Sequence, residues 1–170
     1  QFVTIASTGN AVDAGNLTDQ SSGGNPFGSP TRGLLAGFAS PMNANIDFFQ
    51  FSSTGNAQDF GSLQTIVNSG DALSSTTRGL VVGGSGYLSD IQSVTMATLG
   101  NSVDFGDLTV GRYMLGATSD CIRGVIIGGY ISPGANTNII DYVNIATAGD
   151  AVDFGDQVTT ARNAGATSTA

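Results

Sequence analysis

Residues 93–106 read SVTMATLGNSVDFG, and a near copy of this phrase stands at three other places in the chain. It is FVTIASTGNAVDAG at 2–15, FFQFSSTGNAQDFG at 48–61 and YVNIATAGDAVDFG at 142–155. The glycine before its Asn or Asp falls at Gly9, Gly55, Gly100 and Gly149, with spacings of 46, 45 and 49 residues. A period of this length marks a repeat protein, in which each unit buries its faces only against its neighbours. The repeats run approximately 1–47, 48–92, 93–141 and 142–170, the last incomplete.

Two further blocks follow each phrase. One reads TRGLLAGF at 31–38, TRGLVVGG at 77–84 and IRGVIIGG at 122–129. Its aliphatic runs have strand length and end in glycine, as strands covered on both faces do. The opening phrase alternates instead: in Tyr142-Val143-Asn144-Ile145, polar Asn144 interrupts the apolar set, predicting a strand with one wetter face. The Thr-Gly-Asn step after it is turn chemistry. The other block, RYMLGATSDC from Arg112, returns as RNAGATSTA from Arg162 and more weakly as TIVNSGDALSS from Thr65. In the first unit its place is taken by SSGGNPFGSP at 21–30, whose Gly, Pro and Ser content predicts a loop where the others have a strand. Apolar residues nowhere keep helical spacing over ten positions, so the chain is expected to be all-β, with about four short strands per unit. Phe60, Phe105 and Phe154 are expected to fill the space between units. Ala14 stands in that place in the first, where the interface should be thinner.

Composition narrows the function. Charged residues make up 11% of the chain, against about 25% in a typical soluble domain. The polar surface is therefore built from Ser, Thr, Asn and Gly, a composition that suits extracellular or virion β-structure. Thirteen acids oppose five bases, for a net charge of −8. The bases are Arg32, Arg78, Arg112, Arg123 and Arg162, scattered along the chain, so no basic face is offered to nucleic acid or to an anionic membrane. No apolar run reaches membrane-spanning length. The single cysteine, Cys121, excludes an intrachain disulfide and is read as a small buried apolar residue. The chain holds no His, which removes Ser-His-Asp and Cys-His catalysis and the usual zinc sites. No catalytic, cofactor or metal site is expected, no ligand-binding residues are assigned, and the chain is read as not an enzyme.

Four sets of residues carry alternatives. Asp-Phe-Gly occurs three times, but a kinase magnesium site also needs a strand lysine, and the chain has none. The repeated Asp is read as a turn residue accepting backbone N–H groups. The acid pairs Asp104/Asp107 and Asp153/Asp156 are read as solvated turns, with calcium as the alternative. Arg32, Arg78 and Arg123 precede a buried strand in each unit. They are read as structural groups bonding carbonyls or a neighbouring Asp, the alternative being a ring of cations that binds an anion. Tyr87, Tyr113 and Tyr130 lie near loops, where they are placed to stack on sugar rings.

The order of these blocks resembles the kelch repeat, whose blades carry a Gly-Gly pair at the end of the second strand. The pairs here are Gly83-Gly84 and Gly128-Gly129, with Gly37-Phe38 in the first unit. The kelch motif usually carries a Trp late in the blade; this chain has no Trp, and the Phe of the DFG block takes that place. The wording IATxGNAVDFGDLT…R…GATS…RGVxxGG resembles kelch-like repeats of virion structural and tail-fibre-type proteins of tailed phages, marine ones especially. The resemblance implies a kelch-type β-propeller of four-stranded antiparallel blades, about four in number with one incomplete, as a single domain over 1–170. Its Gly-Gly pairs would let strands pack closely near a central axis. It implies a non-enzymatic structural or adhesion module of the virion. Its partners would be other virion proteins, further copies or segments of itself, or host-surface glycans. A secreted or cell-surface lectin-like bacterial propeller is the alternative. The sequence opens in the third strand of one blade and stops two residues before the next expected Arg-Gly. A segment of a larger protein is therefore expected, or a missing strand supplied by another chain.

Overall fold

A computed structural model describes residues 1–19, 23–39 and 41–167, and among these there is no helix. The first sheet has the order β1 (Asn25–Gly28), β2 (Arg32–Ala39), β3 (Met42–Gln50) and β4 (Gln58–Ser62). The second has β5 (Asp71–Ser74), β6 (Arg78–Val82), β7 (Asp90–Thr95) and β8 (Val103–Asp107). Then follow β9 (Arg112–Tyr113), β10 (Gly116–Ser119), β11 (Arg123–Ile127), β12 (Tyr130–Ile131), β13 (Ala135–Asn144) and β14 (Val152–Ala161). Of these, β10, β11, β13 and β14 repeat the same four-strand order, and the short β9–β12 pair extends the sheet along β13. All pairings are antiparallel. The repeat boundaries read from the sequence at 47/48, 92/93 and 141/142 fall inside β3, β7 and β13. Each sheet therefore joins two successive repeats covalently.

The loop expected over SSGGNPFGSP is corrected in its centre: Asn25-Pro26-Phe27-Gly28 is β1, although Ser21 and Ser22 lie outside the described residues. Proline is tolerated because β1 is the outer strand of its sheet and one side of it needs no ladder donor. The Asn25 amide donates to Ala36 O at 2.9 Å, and the buried Phe27 ring packs against Gly79, where a Cβ would come within 2.2 Å of it. The aliphatic run of β6 is buried on both faces, as expected. That of β11 is not: Val125 and Ile127 are only half-buried, and neither belongs to an apolar cluster among the described residues.

The core lies between sheets. One apolar cluster joins Leu34, Ile46, Phe48 and Phe60 of the first sheet to Ala72, Val81, Val94 and Met96 of the second. The other joins Leu80, Ile91 and Phe105 to Ala117, Ile126, Val143 and Ile145 of the third. Phe60 and Phe105 are each 3% exposed and fill the inter-sheet space as expected, whereas Phe154 is 54% exposed on a face that no other sheet of the described residues covers. Neither cluster includes a residue before Phe27, in keeping with Ala14 in the wedge position.

A second, polar set of contacts repeats between units. Gly100 N donates to Phe60 O, Ser102 N to Ser62 O, and Ser62 N to the Asn101 side chain. The same three bonds recur one unit on, through Gly149, Ala151 and Asp150, and one unit back, through Gly55, Ala57 and Asn56. The approach is so close that a Cβ on Gly61 or Gly106 would sit 2.4 Å from the carbonyl oxygen of Gly100 or Gly149. The first glycine of each Gly-Gly position has a similar role. Gly37, Gly83 and Gly128 have φ of 63°, 64° and 60°, and a Cβ there would lie 2.5–2.7 Å from the carbonyl of Val67, Arg112 or Ala161. These glycines admit the backbone of the next unit.

The row of sheets is open at both ends in this structure. Ile5 is 99% and its repeat equivalent Phe51 58% exposed, while the equivalents Met96 and Ile145, each packed against a complete preceding sheet, are 1% exposed.

Candidate functional site

Sequence reasoning left the tyrosines as separate residues near loops. The fold brings them together. After β6 the chain passes through Gly83, Gly84, Gly86 and Tyr87, all at positive φ, and this left-handed run turns it back over the next unit. Gly111 packs beneath, where a Cβ would lie 2.1 Å from Tyr87 O. Tyr113 on β9 stands directly opposite Tyr130 on β12. The rings of Tyr87 and Tyr113 are 5.5 Å apart at 68°, and those of Tyr113 and Tyr130 are 5.5 Å apart at 70°. This is an edge-to-face row, the favourable packing of aromatic quadrupoles. The Arg162 guanidinium caps it, 5.0 Å from the Tyr130 centroid. All three rings are half-buried, and no hydroxyl of the row has a hydrogen-bond partner among the described residues. The row therefore presents ring faces, ring edges, phenol hydroxyls and one cation on a rigid support. No spacing in the sequence signals it, since Arg162 and Tyr130 meet only through the course of β13 and β14.

Beneath the row lies an ion pair that the sequence did not reveal. Arg112 and Asp141 are both fully buried, with Nη1 2.8 Å from Oδ2. Arg112 also donates from Nε to Gly128 O and from Nη1 to Val110 O, while Thr109 donates its hydroxyl to Asp141 Oδ1. This network fixes β9 and hence Tyr113.

The other sequence-selected groups have structural roles. Arg32 Nη1 donates to Met96 O at 2.9 Å and Ala97 O at 3.3 Å; Arg78 Nη1 donates to Ile145 O at 2.8 Å and Ala146 O at 3.1 Å. Each arginine thus holds the turn of the next unit. Arg123 lies 4.8 Å from the Tyr142 centroid, and its side chain donates no hydrogen bond among the described residues. The repeated Asp accepts the N–H two residues on at Asp13, Asp59 and Asp153. Asp107 accepts from the Ser89 hydroxyl, and Asp104 and Asp156 are exposed. Among the described residues no three His, Cys, Asp or Glu side chains converge as a metal site would require.

The reading of Cys121 as buried is corrected. It is half-exposed at φ 71°, in the turn between β10 and β11. In that turn the Asp120 carboxylate accepts the N–H groups of Arg123 and Ile122, and these bonds hold its pKa below the usual carboxylate value.

A cleft of about 460 Å³ opens between the N-terminal hairpin and the first sheet, lined by Phe2, Ala14, Leu17, Phe49 and Phe51 among others. It lies where a phenylalanine at position 14 would stand. The sequence matches no family model. No curated protein matches it either.

Proposed function

We propose that the chain is a non-enzymatic structural and adhesive module, a segment of a kelch-type β-propeller of the kind built into the tail fibres or appendages of phage virions. The single observation that carries adhesion is the row Tyr87–Tyr113–Tyr130 with Arg162 at its end. Aromatic faces stack on the C–H faces of sugar rings, and unpartnered hydroxyls and a guanidinium supply directional bonds to their oxygens. Most of the other repeated polar groups are already spent on holding units together. Four-stranded units with glycine at the end of the second strand support the kelch reading, and the low charge supports a virion setting.

A glycan array tests adhesion: a defined sugar class is expected to bind, and Tyr113→Ala to abolish binding while the thermal midpoint stays close to wild type. Binding that survives Tyr113→Ala overturns the role given to the row. A secreted lectin-like propeller is the second reading, which the same tyrosine row favours. Absence of the protein from purified virions would choose it over the virion setting.

A further inference from the structure

We infer that the saccharide taken by the tyrosine row is acidic, with its carboxylate or sulfate group held by Arg162 while its ring packs on Tyr113 and Tyr130. The inference rests on the adhesive reading of the row and adds the class of sugar that the row takes.

The surface that carries the row is built from five stretches of chain, 63–70, 83–89, 108–115, 128–136 and 157–165. Backbone bonds stitch them together: Ser85 N donates to Asn68 O, Met114 N to Ser69 O, Gly84 N to Arg112 O, Gly129 N to Ala161 O and Asn163 N to Met114 O. None of the thirteen acids of this chain falls in any of these stretches, although its net charge is −8. Of the acids that flank them, Asp71 is bonded to the N–H groups of Ala72 and Ala117, Asp107 to the Ser89 hydroxyl and Asp141 to Arg112. Asp90 and Asp156 stand on β7 and β14. The charged side chains of the surface itself are Arg112 and Arg162. Arg112 is buried and neutralised by Asp141, so the exposed Arg162 sets the charge of the face.

Arg162 is oriented and yet unspent. Its guanidinium stands 5.0 Å from the Tyr130 centroid, and among the described residues no carboxylate lies within ion-pair distance of it. A ring face orients a cation without using its N–H donors, which stay free to grip an oxyanion in two places. The position also stays accessible with a further unit beside it. The block GATS recurs at 116–119 and 165–168, so Arg162 stands where Tyr113 stands one unit earlier. Tyr113 has a ring on either side of it and is still only half-buried.

A neutral sugar leaves the guanidinium hydrated. An acidic sugar replaces that water with a charge-assisted bond about twice as strong as a neutral one. The acid-free surroundings set no like charge against it, and more distant Asp residues are screened beyond about 8 Å at physiological ionic strength.

The test is calorimetric titration of the 170-residue chain with matched oligosaccharides. One pair is a uronic-acid oligomer and its carboxyl-reduced form; the other is a sulfated galactan oligomer and its desulfated form. The acidic member of at least one pair is expected to bind roughly tenfold tighter than its neutral partner, and to lose that preference in high salt. The pair that shows the preference tells carboxylate from sulfate. Arg162 is exposed, so the fold should survive Arg162→Gln, as circular dichroism would verify. That variant is expected to bind both members of the pair with the affinity of the neutral one, and Arg162→Lys to keep part of the preference. Equal binding of acidic and neutral members, both lost on Tyr113→Ala, overturns the inference and leaves the adhesive role of the row standing. A preference that survives Arg162→Gln overturns it too. So does failure of both acidic oligomers to bind, and failure of every saccharide on an array would take the adhesive reading with it.

Discussion

Arg112 Nη1 lies 2.8 Å from Asp141 Oδ2, and neither side chain reaches solvent. One unit earlier the equivalent positions hold Val67 and Gln92, both also buried. There the Gln92 amide carbonyl takes the N–H groups of Gln64 and Thr65, so a neutral side chain anchors the same linker. A buried charge without its partner is costly, while a well-packed neutral pair is often equivalent to an ion pair. Arg112→Met is therefore expected to destabilise by about 3–5 kcal/mol in urea unfolding. Arg112→Val with Asp141→Gln, which installs the pair of the second unit, should recover most of that loss. A double variant no better than the single one would show that the ion pair is not interchangeable with its neutral counterpart.

The close approach of units at the DFG glycine gives a second test. Gly106 and Gly155 share a positive φ, 147° and 134°, so alanine strains the backbone at both. Only at Gly106 would the added Cβ also meet a carbonyl, that of Gly149 at 2.4 Å. Measured at low concentration, Gly106→Ala is expected to cost about 1–3 kcal/mol more than Gly155→Ala, the usual penalty of overpacking. Equal losses would mean that backbone strain alone matters.

Position in the row decides the value of the wedge. Phe105→Ala removes a buried ring between the second and third sheets and should cost about 3–5 kcal/mol. Phe154→Ala removes the equivalent ring from an exposed face and should cost the monomer under about 1 kcal/mol. Chemical denaturation of the two variants gives the comparison directly.

Asp71 links stability to pH. Burial raises its pKa above the usual carboxylate value, although the N–H groups of Ala72 and Ala117 bond the carboxylate and lower it. A raised carboxyl pKa means that the folded state favours the protonated form. Asp71 thus contributes stability at pH below its ordinary value of 3.8, and that contribution is lost as pH rises through the folded value. Asn25 occupies the equivalent place in the first unit, so Asp71→Asn is compatible with the fold. The variant is expected to gain on wild type as pH rises from about 4 towards neutrality. Parallel stability curves for the two proteins across that range would rule this out.

The sequence by itself determined the period, the all-β class and the wedge role of Phe60 and Phe105. These depend on local alternation, on turn residues and on self-similarity, which are written along the chain. It also anticipated that Arg32 and Arg78 would bond carbonyls, though not which ones, whereas Arg123 of the same set bonds none among the described residues. Asn25-Pro26-Phe27-Gly28 escaped it because proline and glycine read as a loop, until the outer position of β1 and the flat surface of Gly79 made a strand possible. Only the tertiary structure decided that Tyr87, Tyr113 and Tyr130 form one row, that Arg112 is buried against Asp141, and that the sheets stand as an open row. Each depends on how units stack, and stacking sets distances between residues that no local pattern relates: Arg78 and Ile145 lie 67 residues apart in the chain and one hydrogen bond apart in space.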